Sequence, residues 1–284
     1  MKKINIFILL FINIALILNG AQAQEKPKHK HKIKSVYFAW GYNDEWYTHS
    51  TIHIQQGALG NFYKLMDVEG RDHRGWNEGP GVLHEELTIP QYNYRLGFYI
   101  NEKQDLALEL NFDHTKYLLF DNQTIELKGT LHNRPVDSNI VFSQANGDYY
   151  YLNNGANFFL FNLVKRKSFY KSKDNNLHLD FIGKAGIGPL VPHVQNRLFG
   201  VANNPHFQFG GWNTGVEMGI KATCYRRVYL ELTQKFDYAR YSNLQIYDGT
   251  ARQAFGTYEL ILTLGVILPT SKHDPEYMHI KGGN

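Results

Sequence analysis

Eight separate stretches of this chain alternate apolar and polar residues with period two, and the polar side of most stretches carries charge. Period two sends successive side chains to opposite faces of an extended strand. In residues 105–113, Leu106, Leu108, Leu110 and Phe112 share one face, against Glu109, Asn111 and Asp113 on the other. In residues 257–268, Tyr258, Leu260, Leu262, Leu264, Val266 and Leu268 oppose Glu259 and its neighbours. Residues 36–43, 91–100, 177–188, 213–224 and 228–237 read the same way, and 149–164 does so less regularly, around Asn153, Gly155 and Asn157. An all-β chain of eight strands follows.

The connections sort into two classes. Residues 101–104, 165–176 and 226–227 are short, polar and mostly basic, whereas 44–90, 116–148, 190–210 and 241–252 are long. Short turns alternating with long loops are the pattern of an antiparallel up-and-down meander with two unlike rims. An even strand number puts both ends of the meander on one rim. No repeat of 20–50 residues is visible, which disfavours a propeller or solenoid.

The faces decide what surrounds such a barrel. Arg95, Glu109, Asp113, Asp180, Lys184, Glu217, Lys221, Glu231, Lys235, Asp237 and Glu259 all fall on the face opposite the Leu, Val, Ile and Phe positions. A soluble sandwich would use that charged face as its wet side. Three features favour the inverted arrangement, with lipid outside and charge inside. The apolar face recurs in nearly every strand. Aromatic residues gather near strand ends (Trp40, Tyr42, Tyr92, Tyr94, Tyr117, Trp212, Tyr225, Tyr238), where interfacial girdles sit. Glycines punctuate the charged face (Gly41, Gly97, Gly186, Gly188, Gly215, Gly219, Gly265), leaving room for long side chains to cross a narrow lumen. Eight strands enclose side chains and no water column, so seven acids and four bases must pair inside, because an unpaired buried charge is costly. The mean hydropathy of −0.41 excludes a polytopic helical protein but not a membrane barrel. A net charge of only +4 gives no reason to expect nucleic acid as partner, and one Cys excludes a disulfide framework.

The amino terminus reads as an address. Lys2 and Lys3 precede an apolar run, and Ala21-Gln22-Ala23 offers small residues for cleavage, the pattern of a secretory signal peptide over residues 1–23. Residues 24–34, with five lysines and two histidines, read as a basic periplasmic tether. The barrel with its long extracellular loops then occupies residues 35–268, and 269–284 is a polar tail.

The signal segment and the alternating strands together resemble the small eight-stranded outer-membrane β-barrels of Gram-negative bacteria, of the general OmpA, OmpX and OmpW type. The likeness covers residues 35–268 as architecture. One departure is that such barrels commonly end on an aromatic residue read by the assembly machinery, whereas this one ends at Leu268-Pro269. The resemblance implies outer-membrane location, contact with outer-membrane lipids and the barrel-assembly machinery, no cofactor, and a structural or surface-binding role whose extracellular ligand the sequence does not name. It also opens two alternatives, a carrier of small hydrophobic solutes and a lipid-modifying hydrolase or acyltransferase at the outer leaflet.

The enzyme alternative needs a His beside a nucleophile and a carboxylate. Candidates are His114 with Asp113 at a strand top and His49 with Ser50 in the first long loop, against the reading of ordinary interfacial and loop hydrogen bonding. If alternation holds, Asp113 points inward and His114 outward. A metal site among His49, His53, Asp72, His73, His84, Glu85 and Glu86 is not expected, since an i, i+4 pair on a strand lies ~13 Å apart. The polar knot 69–75, with Arg71 and Arg74, reads as a solvated loop or a contact for anionic lipid heads.

Overall fold

The computed structural model describes residues 35–73, 91–101, 103–153 and 155–270. The proposed signal peptide and tether, the tail beyond Thr270, and Arg74, His84, Glu85 and Glu86 lie outside the described residues.

Eight antiparallel strands close into a ring: β1 Ser35–Tyr47, β2 Tyr92–Tyr99, β3 Leu106–His114, β4 Phe158–Lys171, β5 Leu177–Leu190, β6 Gly211–Cys224, β7 Val228–Ile246 and β8 Gly249–Pro269. Each pairs with its neighbour in sequence, and β1 pairs with β8 from Ser35↔Pro269 to Tyr47↔Thr257. This is an up-and-down barrel with no open edge in the ring. Outward residues such as Leu108, Phe181, Met218, Leu232 and Leu264 are about half exposed, while the charged positions between them are buried. Water would not leave that face apolar; lipid does, and the fold is a transmembrane β-barrel.

Ser35, Pro269 and the connections 100–105, 172–176 and 225–227 share one rim. The opposite rim carries the long connections, and their described residues are folded. Ser50–Gln56 continues the barrel wall by pairing with Thr250–Arg252 of β8. The sheet then extends through Asn61–Val68, Gln123–Leu131 and Arg134–Phe142. A second sheet runs through Val201–Ala202, His193–Leu198, Tyr149–Leu152, Tyr117–Leu119 and Gly70–Arg71. Between the two lies an apolar core including Ile52, Tyr63, Leu65, Leu119, Tyr150 and Val194, to which the upper wall adds Tyr241, Leu244 and Phe255. The result is a β-cap sealed onto the barrel mouth.

Three expectations are corrected by this cap. Residues 241–252 are not a long loop: β7 and β8 run on to a hairpin at Tyr247-Asp248, where Asp248 takes the left-handed conformation (φ 48°). The polar outer positions look like loop, but Tyr241, Leu244, Ile246 and Ala251 alternate inward into the cap core. Residues 149–164 are not one strand: Gly155 (φ 116°) and Asn157 (φ 44°) break it, sending Tyr149–Leu152 into the cap and Phe158 onward into the ring. Tyr117 is not a girdle residue. It is fully buried, stacked on Phe255 at 4.7 Å and met edge-on by Tyr47 at 4.9 Å.

Candidate functional site

The lumen is where the chemistry of this barrel concentrates. Strand pairing sets charges of opposite sign directly across from each other. One row runs Lys184↔Glu217↔Lys235↔Glu259 over β5, β6, β7 and β8, and a second runs Asp180↔Lys221↔Glu231 over β5, β6 and β7. Cross-strand pairs of opposite charge stabilise a sheet face, and like pairs oppose it.

Around these rows the side chains form one network. Lys184 Nζ lies 2.6 Å from Glu231, 3.1 Å from Glu217 and 3.3 Å from Glu109. Arg95 Nη1 donates to Asp113 at 2.5 Å, and its guanidinium lies 3.7 Å from Glu217 and 3.9 Å from Glu109. Lys235 meets Glu259 at 2.7 Å and Asp237 at 2.8 Å, and also contacts Asp113. Asn43 Nδ2 donates to Glu259 at 3.2 Å. All of these ionic groups are at most 5% exposed. Each cation therefore meets more than one carboxylate, which offsets the cost of taking the charges out of water.

Toward the rim of Ser35 and Pro269 the filling turns aromatic. Lys221 Nζ sits 3.4 Å from the Tyr229 ring centre and 4.8 Å from that of Tyr37, and Arg166 lies 4.9 Å over Tyr99. Tyr37 donates its hydroxyl to Glu109 at 2.7 Å, joining the aromatic layer to the ion pairs. Asp180 pairs with Arg166 at 3.5 Å and Lys221 reaches Glu231 at 3.9 Å. The glycines of this face serve a different neighbour from the one expected at two places: the Tyr37 ring lies directly over Gly97 and the Tyr229 ring over Gly265, where any Cβ would clash. At the other end Phe158, 5.8 Å from Lys235, belongs to the cap core. Aromatic plug, ion-pair layer and cap core thus follow one another along the lumen.

Tyr99 and Tyr229 fall on the polar face that alternation assigns to the interior, whereas Tyr37 and Arg166 were not among the residues expected inside. Alternation carried further would have found these two, since Tyr37 opposes Phe38 and Arg166 follows Val164 by two.

The catalytic candidates do not come together. Asp113 faces the lumen, bound to Arg95 and Lys235. His114 is on the outer face, stacked on Tyr92 at 4.6 Å with its Nδ1 2.9 Å from Asn157 Oδ1. His49 lies 3.2 Å from Asp67 on the exposed surface. Ser50 is buried and accepts from Gln253 Nε2 at 2.9 Å, while the same amide donates to the Tyr117 hydroxyl at 2.8 Å. Adjacent residues on a strand point apart, which is why Asp113 and His114 are split. Arg71 lies 5.7 Å over the Phe120 ring. Among the described residues no group of three His, Cys, Asp or Glu is arranged to hold a metal ion.

No protein-family model matches the chain, and no curated protein sequence does. Solved structures do. OprG from Pseudomonas aeruginosa is 8% identical, with 84% of this chain and 98% of that one covered and a TM-score of 0.35. Neisserial surface protein A is 11% identical, with 81% and 96% covered and a TM-score of 0.34. The N-terminal β-barrel domain of Pseudomonas aeruginosa OprF is 7% identical, with 84% and 100% covered and a TM-score of 0.33. The ring closure and its inverted polarity make the architecture that of the small eight-stranded outer-membrane β-barrels.

Proposed function

We propose that this chain is a closed outer-membrane barrel of a Gram-negative bacterium whose task is to hold a folded β-cap at the cell surface, in a structural or surface-binding role. Residues 1–23 direct export and are removed, residues 24–34 tether the barrel in the periplasm, and the barrel-assembly machinery inserts residues 35–268. Outer-membrane lipids surround the strands.

One observation carries this reading. The lumen is filled by packed side chains, from the Tyr37, Tyr99 and Tyr229 plug through the Arg95, Lys184 and Lys235 ion pairs to the cap core. A pore needs a continuous water path, and an eight-stranded ring so filled has none. The rigid part presented outward is the cap.

The test is electrical. Reconstituted in a planar bilayer, the folded protein is expected to give no steady conductance. Large, stable, porin-like currents would overturn the reading.

A further inference from the structure

The lipid-facing wall continues upward past the aromatic residues. On β8 the outward positions pass from Leu262, Leu260 and Tyr258 to Gly256, Ala254 and Arg252, and on β7 from Phe236 and Tyr238 to Arg240. Trp46, Tyr258 and Phe236 pack together there, at 5.5 and 5.0 Å, and Trp212 meets Tyr238 at 5.9 Å, marking the interface. With a rise of about 3.3 Å per residue and a tilt near 40°, Arg240 and Arg252 stand roughly 30–35 Å above the lower rim. The apolar band of such barrels is about 25 Å tall. Both arginines therefore stand at the level of the lipid headgroups.

From Arg252 a row of basic residues crosses the sheet on that same outer face. Arg252 lies opposite His53, His53 opposite Lys64, and Lys64 opposite Lys128. Lys64 and Lys128 are like charges placed directly opposite, an arrangement that disfavours a sheet, and Arg252 Nη2 lies 3.5 Å from His53 Nδ1. Burial, together with Arg252 and Lys64, holds the His53 imidazole below its usual pKa. Lys128 has Asp137 at 3.2 Å and Glu126 at 3.6 Å. Among the described residues no carboxylate lies within ion-pair distance of Lys64, Arg240 or Arg252.

Two clefts give the anion room. One of about 310 Å³ lies between Arg240 and Arg252, with the small Ala254 in its lining. Its neighbour, about 480 Å³, is lined by Arg252, His53, Lys64 and Lys128.

We propose that this row and its clefts bind the phosphate groups of phosphorylated lipid headgroups in the outer leaflet. The acyl chains lie along the Leu260 and Leu262 wall below, and the phosphates enter between Arg240, Arg252 and Lys64. The assignment rests on the outer-membrane reading above and adds a ligand class to it.

The test uses the full folded barrel in phosphatidylcholine nanodiscs containing a minor fraction of diphosphoryl lipid A, with the lipids retained on the released protein counted by native mass spectrometry. The wild-type protein is expected to retain lipid A over phosphatidylcholine by at least about tenfold relative to its share of the bilayer. The variant Arg240→Gln/Arg252→Gln/Lys64→Gln should fall to parity while keeping the heat-dependent gel shift of a folded barrel. Should the triple variant fold poorly, Arg252→Gln alone should lose about threefold. A charge-matched control at the opposite rim, Lys167→Gln/Lys173→Gln/Arg226→Gln, should keep the preference. No preference in the wild type, preference kept in the variant, or equal loss in the control would each overturn the proposal. Displacement of lipid A by inorganic phosphate below millimolar concentration would overturn the headgroup source in favour of a soluble anion. Failure of the outer-membrane reading would look different, as absence of the gel shift in every form.

Discussion

Lys184 Nζ lies 2.6 Å from the Glu231 carboxylate although all of β6 separates their backbones. The contact exists because the ring is narrow and curved, so side chains two strands apart converge on its axis. Between them stands Glu217, directly opposite Lys184 in register. Lys184 is therefore the shared cation of three carboxylates, and its removal leaves Glu109, Glu217 and Glu231 short of charge. Lys184→Met is expected to cost about 3–5 kcal/mol. Adding Glu231→Gln to it should restore part of that loss, because one buried charge goes with it. Urea titration of the two variants in lipid vesicles measures both steps, and a double variant no more stable than Lys184→Met would contradict a shared network.

The outward face can be tested by inverting its polarity at one point. Leu262 is half exposed near the middle of the apolar band. Leu262→Arg should cost roughly 2–4 kcal/mol, whereas Asn139→Arg, on the exposed outer strand of the cap, should cost little. Folding into vesicles followed by the heat-dependent gel shift compares them. Equal folding of the two would mean that the face assigned to lipid is not in lipid.

The cap predicts its own failure mode. Tyr117 has no exposed surface and stacks on Phe255. Tyr117→Ala should cost about 3–5 kcal/mol and open the cap, while the ring below keeps its gel shift. Limited proteolysis of vesicles holding the oriented protein should then cut within the cap segments of the variant and spare the wild type. Resistance in both would show that the cap does not depend on this core.

Gly97 and Gly265 provide a test of the aromatic plug. Each lies beneath a tyrosine ring of the neighbouring strand, Tyr37 and Tyr229. Gly97→Val should push Tyr37 away from Glu109 and lower stability by about 1–3 kcal/mol, the usual cost of overpacking. A valine at the outward position Ala254 is the control. Tyrosine fluorescence and urea midpoints should move together for Gly97→Val alone.

Much of the ring was legible in the sequence, for a physical reason. A strand in a lipid-facing barrel meets two solvents, one per face, and must alternate between them along its whole length. Leu106 through Asp113 shows this without any partner in view, and so do Val228 through Asp237. Alternation alone also puts Asp113 and His114 on opposite faces. What it cannot give is which residues face each other, because register links positions far apart in the chain: Lys184 to Glu217, and Lys235 to Glu259. The cap was hidden for the same reason in stronger form. Ile52, Ile54, Tyr63, Leu65, Ile125 and Leu127 alternate over runs too short to stand out, and their partners lie as far away as Ala251, opposite Ile54. The basic row Arg252, His53, Lys64 and Lys128 comes from three separate parts of the chain and becomes a row only when those strands pair. The sequence by itself determined which face of each ring strand meets lipid, because solvent acts on residues one at a time. Only the tertiary structure decided which charges neutralise one another and which like charges stand side by side, because those are properties of neighbours that pairing alone creates.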